Sequence, residues 1–176
     1  MTDLPEEIAW AGKWITAKRR GKWEYVSRAK GIRAAVIVAI DDDDHVLLVD
    51  QYRVPLGKRC LELPAGLVGD EAGRENDSPL EAARRELIEE TGYDCAEVEN
   101  LGEYFSSPGL VSESFTLVRA KGLTKVGEGG GLEDEDIIVH RVPLAGLPDF
   151  VAEKRAEGMA IDVKLLLLLS GALLAN

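Results

Sequence analysis

Between Ser78 and Gly92 the chain writes both ends of a helix, and no other segment is so tightly constrained. Ser78 is a cap, Pro79 suits the first helical position with its fixed φ, and Glu81 completes a Ser-x-x-Glu capping box. Leu80, Ala83, Leu87 and Thr91 fall on one face, and Gly92 is a natural stop. The segments around this helix read mostly as short strands. Residues 14–16 and 23–27 flank the stretch 18–22, which predicts a hairpin with a basic tip. Residues 34–40 and 46–49 flank Asp41, Asp42, Asp43 and Asp44 and predict a second hairpin with a buried face. The aspartate run is too short for a calcium loop and lacks the downstream glutamate, so it reads as a solvated turn.

Residues 52–69 alternate strand and loop, and 70–77 form a polar loop before the helix. Strands are expected at 98–105 and 115–119 about a Ser-Ser-Pro-Gly turn, and again at 137–142. A flexible glycine tract at 127–131 precedes an acidic run at 133–136. Residues 147–157 and 161–174 predict two closing helices, the second of them buried. This order predicts an α+β domain, a mixed sheet with helices packed on it.

Composition narrows the chemistry. A length of 176 residues fits one domain, and 45% hydrophobic with 30% charged residues is globular usage. A net charge of -11 argues against a nucleic-acid-binding face, which needs clustered Lys and Arg. An anionic substrate would then need metal cations to bridge it to the protein. Cys60 and Cys95 show no zinc or redox spacing and read as small buried apolar residues in a reducing compartment. The first ten residues are acidic and not of signal-peptide type, and the apolar run 163–174 falls short of the ~20 residues a bilayer requires. A soluble cytoplasmic protein with no membrane contact is expected.

Glu86, Glu89 and Glu90 stand at i, i+3 and i+4, so their carboxylates leave one helical face. Most such faces are simply solvated; where a cation sits between the carboxylates instead, hard oxygen ligands suit Mg²⁺ or Mn²⁺. Arg85 stands four residues before Glu89 and is placed to hold it. His140 reads as a satisfied strand histidine and His45 as exposed, and no Ser, His and Asp ordering makes a triad.

The segment 85–93, Arg-Glu-Leu-Ile-Glu-Glu-Thr-Gly-Tyr, resembles the core of the Nudix box, the signature of the Nudix hydrolases. Leu-Glu-Leu-Pro-Ala-Gly-Leu at 61–67 is similar to the opening of that box in the ADP-ribose pyrophosphatase branch. Gln51-Tyr52-Arg53, Ser107-Pro108-Gly109 with Glu113, and the acidic run 133–137 match further segments of the same branch. One departure stands out: Asp77 occupies the position of the box's first glutamate, and Gly66 lies five residues too far from the core. An insertion within 70–76 accounts for it, since loops tolerate extra residues.

The resemblance implies a Nudix fold, an α/β/α sandwich, and Mg²⁺-dependent hydrolysis of a nucleoside diphosphate sugar. ADP-ribose is the first choice, cleaved to AMP and ribose 5-phosphate. GDP-mannose, another nucleotide sugar, a dinucleotide, or a sensing module without turnover are the rival readings. Glu86, Glu89, Glu90 and the Ala65 carbonyl would hold metal, with Arg85 supporting them and Arg53 on a phosphate. Glu133, with Glu135 second, would act on the attacking water, and Glu113 would serve the metal or the substrate. Trp14, Trp23 and Tyr25 suit stacking on an adenine and core packing alike. In this branch an N-terminal sheet swaps between subunits, which implies a homodimer, with strands 1–33 ahead of a hydrolase domain at 34–176.

Overall fold

The computed structural model describes residues 4–29, 32–69, 73, 74, 76–132 and 135–174. The continuous apolar run near residue 37 is strand β4 (Arg33–Ala39), buried on both faces. Its side chains alternate between two cores. Val36 and Val38 enter one, and Ala35, Ile37 and Ala39 enter the other, as a period of two requires. Strand β5 (His45–Arg53) divides in the same way, with Val46 and Leu48 on one side and Leu47 on the other.

Three sheets form. The first is the meander β1 (Glu6–Ala11), β2 (Ile15–Arg20) and β3 (Trp23–Arg28), antiparallel throughout. The predicted hairpin is β2–β3, turning at Gly21 and Lys22, and β1 is an added strand. The second sheet has the order β10-β5-β6-β11, from β6 (Lys58–Glu62), β10 (Ile138–Pro143) and β11 (Ala160–Ile161). The third is β7-β4-β9-β8, from β7 (Ala65–Val68), β8 (Tyr93–Phe105) and β9 (Ser114–Lys125). Both are mixed, because β4 runs parallel to β9 and β6 parallel to β11.

Helix α1 (Pro79–Glu86) packs on the third sheet through Ala83 and, just beyond it, Leu87. Helix α2 (Leu147–Ala156) and Leu165 and Leu169 cover the other core, through Leu147 and Val151. Helices therefore flank the sheets on two sides, as the α+β sandwich expects.

Three expectations are corrected. Strands β4 and β5 do not pair as a hairpin: their ladder is limited to an Ile40–Val46 bridge just beyond β4, and they belong to different sheets. Two-sided burial let β4 take β7 and β9 as neighbours instead. The segment 161–174 is not one helix, because it opens as β11, passes through a 3₁₀ turn (Val163–Leu165) and only then becomes α3 (Leu166–Leu174). Nor is α3 buried; Leu166, Leu167, Leu173 and Leu174 are exposed, and Leu169 is its buried residue.

Asp41 anchors the aspartate turn by accepting the N–H groups of Asp43 and His45, while Arg141 pairs with Asp41 and Asp43. Cys60 and Cys95 are free and buried. Half of the polar loop expected at 70–77, residues 70–72 and 75, lies outside the described residues.

Candidate active site

Helix α1 begins as its sequence requires. The Ser78 hydroxyl accepts the Glu81 N–H, and the Glu81 carboxylate accepts the Ser78 N–H. After Glu86 the helix widens into a π turn (Leu87–Thr91), a form concentrated at functional sites. The buried Thr91 hydroxyl closes it, donating to the Leu87 carbonyl and accepting the Tyr93 N–H. Gly92 ends it at φ +75.

Glu86, Glu89 and Glu90 line one cleft of about 580 Å³. Strand β7 faces them across it. The Ala65 N–H donates to Glu90 Oε2 at 3.0 Å, and a Cβ on Gly66 would stand 1.9 Å from the Glu86 carboxyl carbon. Glycine at 66 is therefore a condition of the Glu86 side chain lying where it does. Arg85 Nη1 donates to Glu86 Oε1 at 2.9 Å and to Glu89 Oε2 at 3.2 Å, the support expected of it.

The cleft is short of positive charge. Burial raises the Glu90 carboxyl from 4.5 to about 8; the Ala65 N–H opposes the rise, and Glu86 and Glu135 add to it. Burial likewise raises Glu86 to about 7, with Arg85 opposing and Glu89 adding. A divalent cation relieves both costs at once. Among the described residues no three Asp, Glu, His or Cys side chains converge on one point as they stand. Mg²⁺ does not ask for that, since it takes one or two carboxylates and fills its octahedron with waters and substrate oxygens. An all-oxygen donor set with raised carboxylates fits such an ion.

Most predicted residues meet in this cleft: Arg53, Ala65, Arg85, Glu113 and Glu135 line it together with the three glutamates. Arg53 also forks Glu62, at 2.6 and 3.0 Å. Glu113 accepts from Arg28, the cation that ties it to β3. Glu135 faces the cleft from the loop between β9 and β10, its carboxylate accepting the Leu132 N–H at 2.7 Å. Glu133 lies outside the described residues.

Trp14 and Trp23 do not line the carboxylate cleft of their own chain. They are 61% and 55% exposed, so core packing is not their role. Trp23 instead helps form a slot of about 340 Å³ with Arg20, Tyr25, Phe105 and Pro108. His140 is satisfied in its strand by Asp50, as expected.

Sequence reasoning missed Arg28, Glu62 and Lys164 in the cleft wall. Lys164 had a signal, being a cation that interrupts the apolar run 163–174. The glycine tract is also not the free hinge its composition suggests. Gly130 and Gly131 donate to the carbonyls of Glu90 and Glu89, and Val126 and Gly127 to that of Gly92.

Comparison with known proteins agrees with this fold. The NUDIX domain model matches residues 31–159. The methanol dehydrogenase activator of Bacillus methanolicus is 37% identical over 123 residues, covering 69% of this chain; the chain spans 64% of that relative's length. The GDP-mannose pyrophosphatase of Cronobacter sakazakii is 36% identical over 159 residues, 85% of this chain and 76% of that protein. A crystal structure of an ADP compounds hydrolase superposes with a TM-score of 0.70 at 26% identity, over 97% of this chain and 92% of that one. With its capped glutamate helix, its mixed sheets and a domain match over most of its length, the chain belongs to the Nudix family.

Proposed function

We propose that this chain is a Mg²⁺-dependent hydrolase of the diphosphate bond in nucleoside diphosphate sugars, with ADP-ribose as first substrate. The observation that carries the reading is the meeting of Glu86, Glu89 and Glu90 with Arg53 and Glu135 in one cleft. Glu86, Glu89, Glu90 and the Ala65 carbonyl would hold the ions, with Mn²⁺ a workable substitute. Bound there, the metal supplies charge neutralisation at the phosphoryl oxygens and a water acidified enough to attack.

The chain's own groups do the rest. Arg53 orients the diphosphate, for which its planar fork is suited. A carboxylate of the acidic loop, Glu135 or Glu133, takes a proton from the attacking water. The water oxygen bonds to one phosphorus while the bridging P–O bond breaks, and the leaving phosphate departs with the bridging oxygen. ADP-ribose would thus give AMP and ribose 5-phosphate. Arg85 keeps Glu86 and Glu89 aligned throughout.

GDP-mannose is the second reading, supported by the 36% identity to a GDP-mannose pyrophosphatase. The exposed β1–β3 sheet supports a homodimer, in which Trp14 or Trp23 of one copy would stack on the base bound by the other. No helix among the described residues is long and apolar enough to cross a membrane. A panel of nucleotide sugars, assayed with and without Mg²⁺ and with product identification, tests the reading. Metal-dependent release of AMP from ADP-ribose is expected. Binding without turnover of any member would replace the hydrolase with a sensor.

A further inference from the structure

Behind the acidic loop lies a charge network that the hydrolytic site does not use. Asp50 of β5 is 2% exposed, and His140 Nε2 from β10 stands 2.5 Å from its Oδ2. Arg59 of β6 donates Nε to the other Asp50 oxygen and Nη2 to the Asp50 carbonyl at 2.8 Å. The same guanidinium reaches forward to the loop. Its Nη1 donates to Asp136 Oδ2 at 2.8 Å, and Nη2 donates to the Asp136 carbonyl at 2.9 Å. Asp136 adjoins Glu135 and sits at φ +47, the left-handed region that aspartate enters more readily than most residues with a side chain. Gln51 Nε2 adds a bond to the Glu135 carbonyl at 3.1 Å.

Two physical points bear on what this network is for. Burying Asp50 carries a desolvation cost, so stability alone is a weak reason for the cluster. The Asp136 carboxylate is 78% exposed, and a surface pair of that kind contributes little to stability. Its effect on placement is another matter, because an error of 1 Å in a catalytic group can cost about a hundredfold in rate.

We propose that Arg59 is a positioning residue: backed by Asp50, it fixes the backbone at Asp136 and thereby the place from which the adjoining Glu135 carboxylate meets the substrate. The inference rests on the reading of the acidic loop as the proton acceptor.

The test uses the full chain with ADP-ribose and GDP-mannose at saturating Mg²⁺. Arg59→Met removes the whole fork but leaves Asp50 without its cation. Arg59→Lys keeps a cation against Asp50, and so the fold, but has no fork to span Asp50 and Asp136 together. For Arg59→Lys we expect kcat to fall about tenfold, KM to stay within about twofold, and the melting temperature to stay near wild type. In a Glu133→Gln/Glu135→Gln background the same substitution should cost nothing further, since no carboxylate remains to be placed. Wild-type kcat in Arg59→Lys, or an equal loss in both backgrounds, overturns the inference. Wild-type kcat in the Glu133→Gln/Glu135→Gln protein overturns the loop reading itself, and this inference with it.

Discussion

Glu90 and Glu86 keep their protons up to about pH 8 and 7 in the folded chain, while an ordinary glutamate loses its own near 4.5. Between those values the unfolded chain binds fewer protons, so stability of the metal-free protein falls as pH rises from about 4.5 to 8. A denaturant series across that range, with chelator present, should show the decline, and Glu90→Gln should flatten most of it. A curve that rises with pH would refute the electrostatics of the cleft. The stabilisation given by Mg²⁺ should grow over the same window, because the ion displaces those protons. Gly66→Ala makes a second case at this scale. Its Cβ would occupy the Glu86 carboxylate, so turnover should drop by about tenfold or more while the fold survives. Spacing puts the three glutamates on one face, but a glutamate-rich face is usually just solvated, so the resemblance of residues 85–93 to a known box was needed to single them out. The Arg53–Glu62 fork and the Glu113–Arg28 pair were not legible, because the first spans β5 and β6 and the second ties the connection before β9 to β3, neighbours that only the folded chain decides.

The π turn and the glycine tract work as a pair. Gly129 sits at φ +72 with Thr91 so near that a Cβ would stand 2.4 Å from its carbonyl carbon. Main-chain atoms cannot swing aside as a long side chain can. Gly129→Ala is therefore expected to destabilise by more than about 1 kcal/mol in urea titration and to lower turnover, because it pries the tract from the carbonyls of Glu89 and Glu90. An unchanged midpoint and rate would mean the tract is a passive linker. Helix α1 was the most legible element, with cap, box and stop all in the sequence. Its π turn was not, since apolar spacing cannot tell a wider turn from a regular one. The β4–β5 misreading has a related cause: a run buried on both faces carries no alternation to say which strand lies beside it.

At the scale of the whole molecule, the α+β order was readable, but the exposure of the first sheet was not. Ile8, Trp10, Trp14 and Trp23 all lie exposed on β1–β3 and its connections. A sheet that leaves this many large apolar side chains exposed is a natural candidate for the proposed dimer contact. Sedimentation should accordingly find a species of about twice 19.1 kDa, and Trp10→Glu should shift it toward monomer. A wild-type monomer at micromolar concentration would remove the dimer from the account. Initial-rate hydrolysis of ADP-ribose by wild type and Glu89→Gln, with saturating Mg²⁺ and again with chelator, probes the cleft itself. Chelator should abolish wild-type turnover, and Glu89→Gln should lose at least about a hundredfold with its melting curve intact. Turnover that survives both chelator and the substitution would contradict the metal-dependent mechanism.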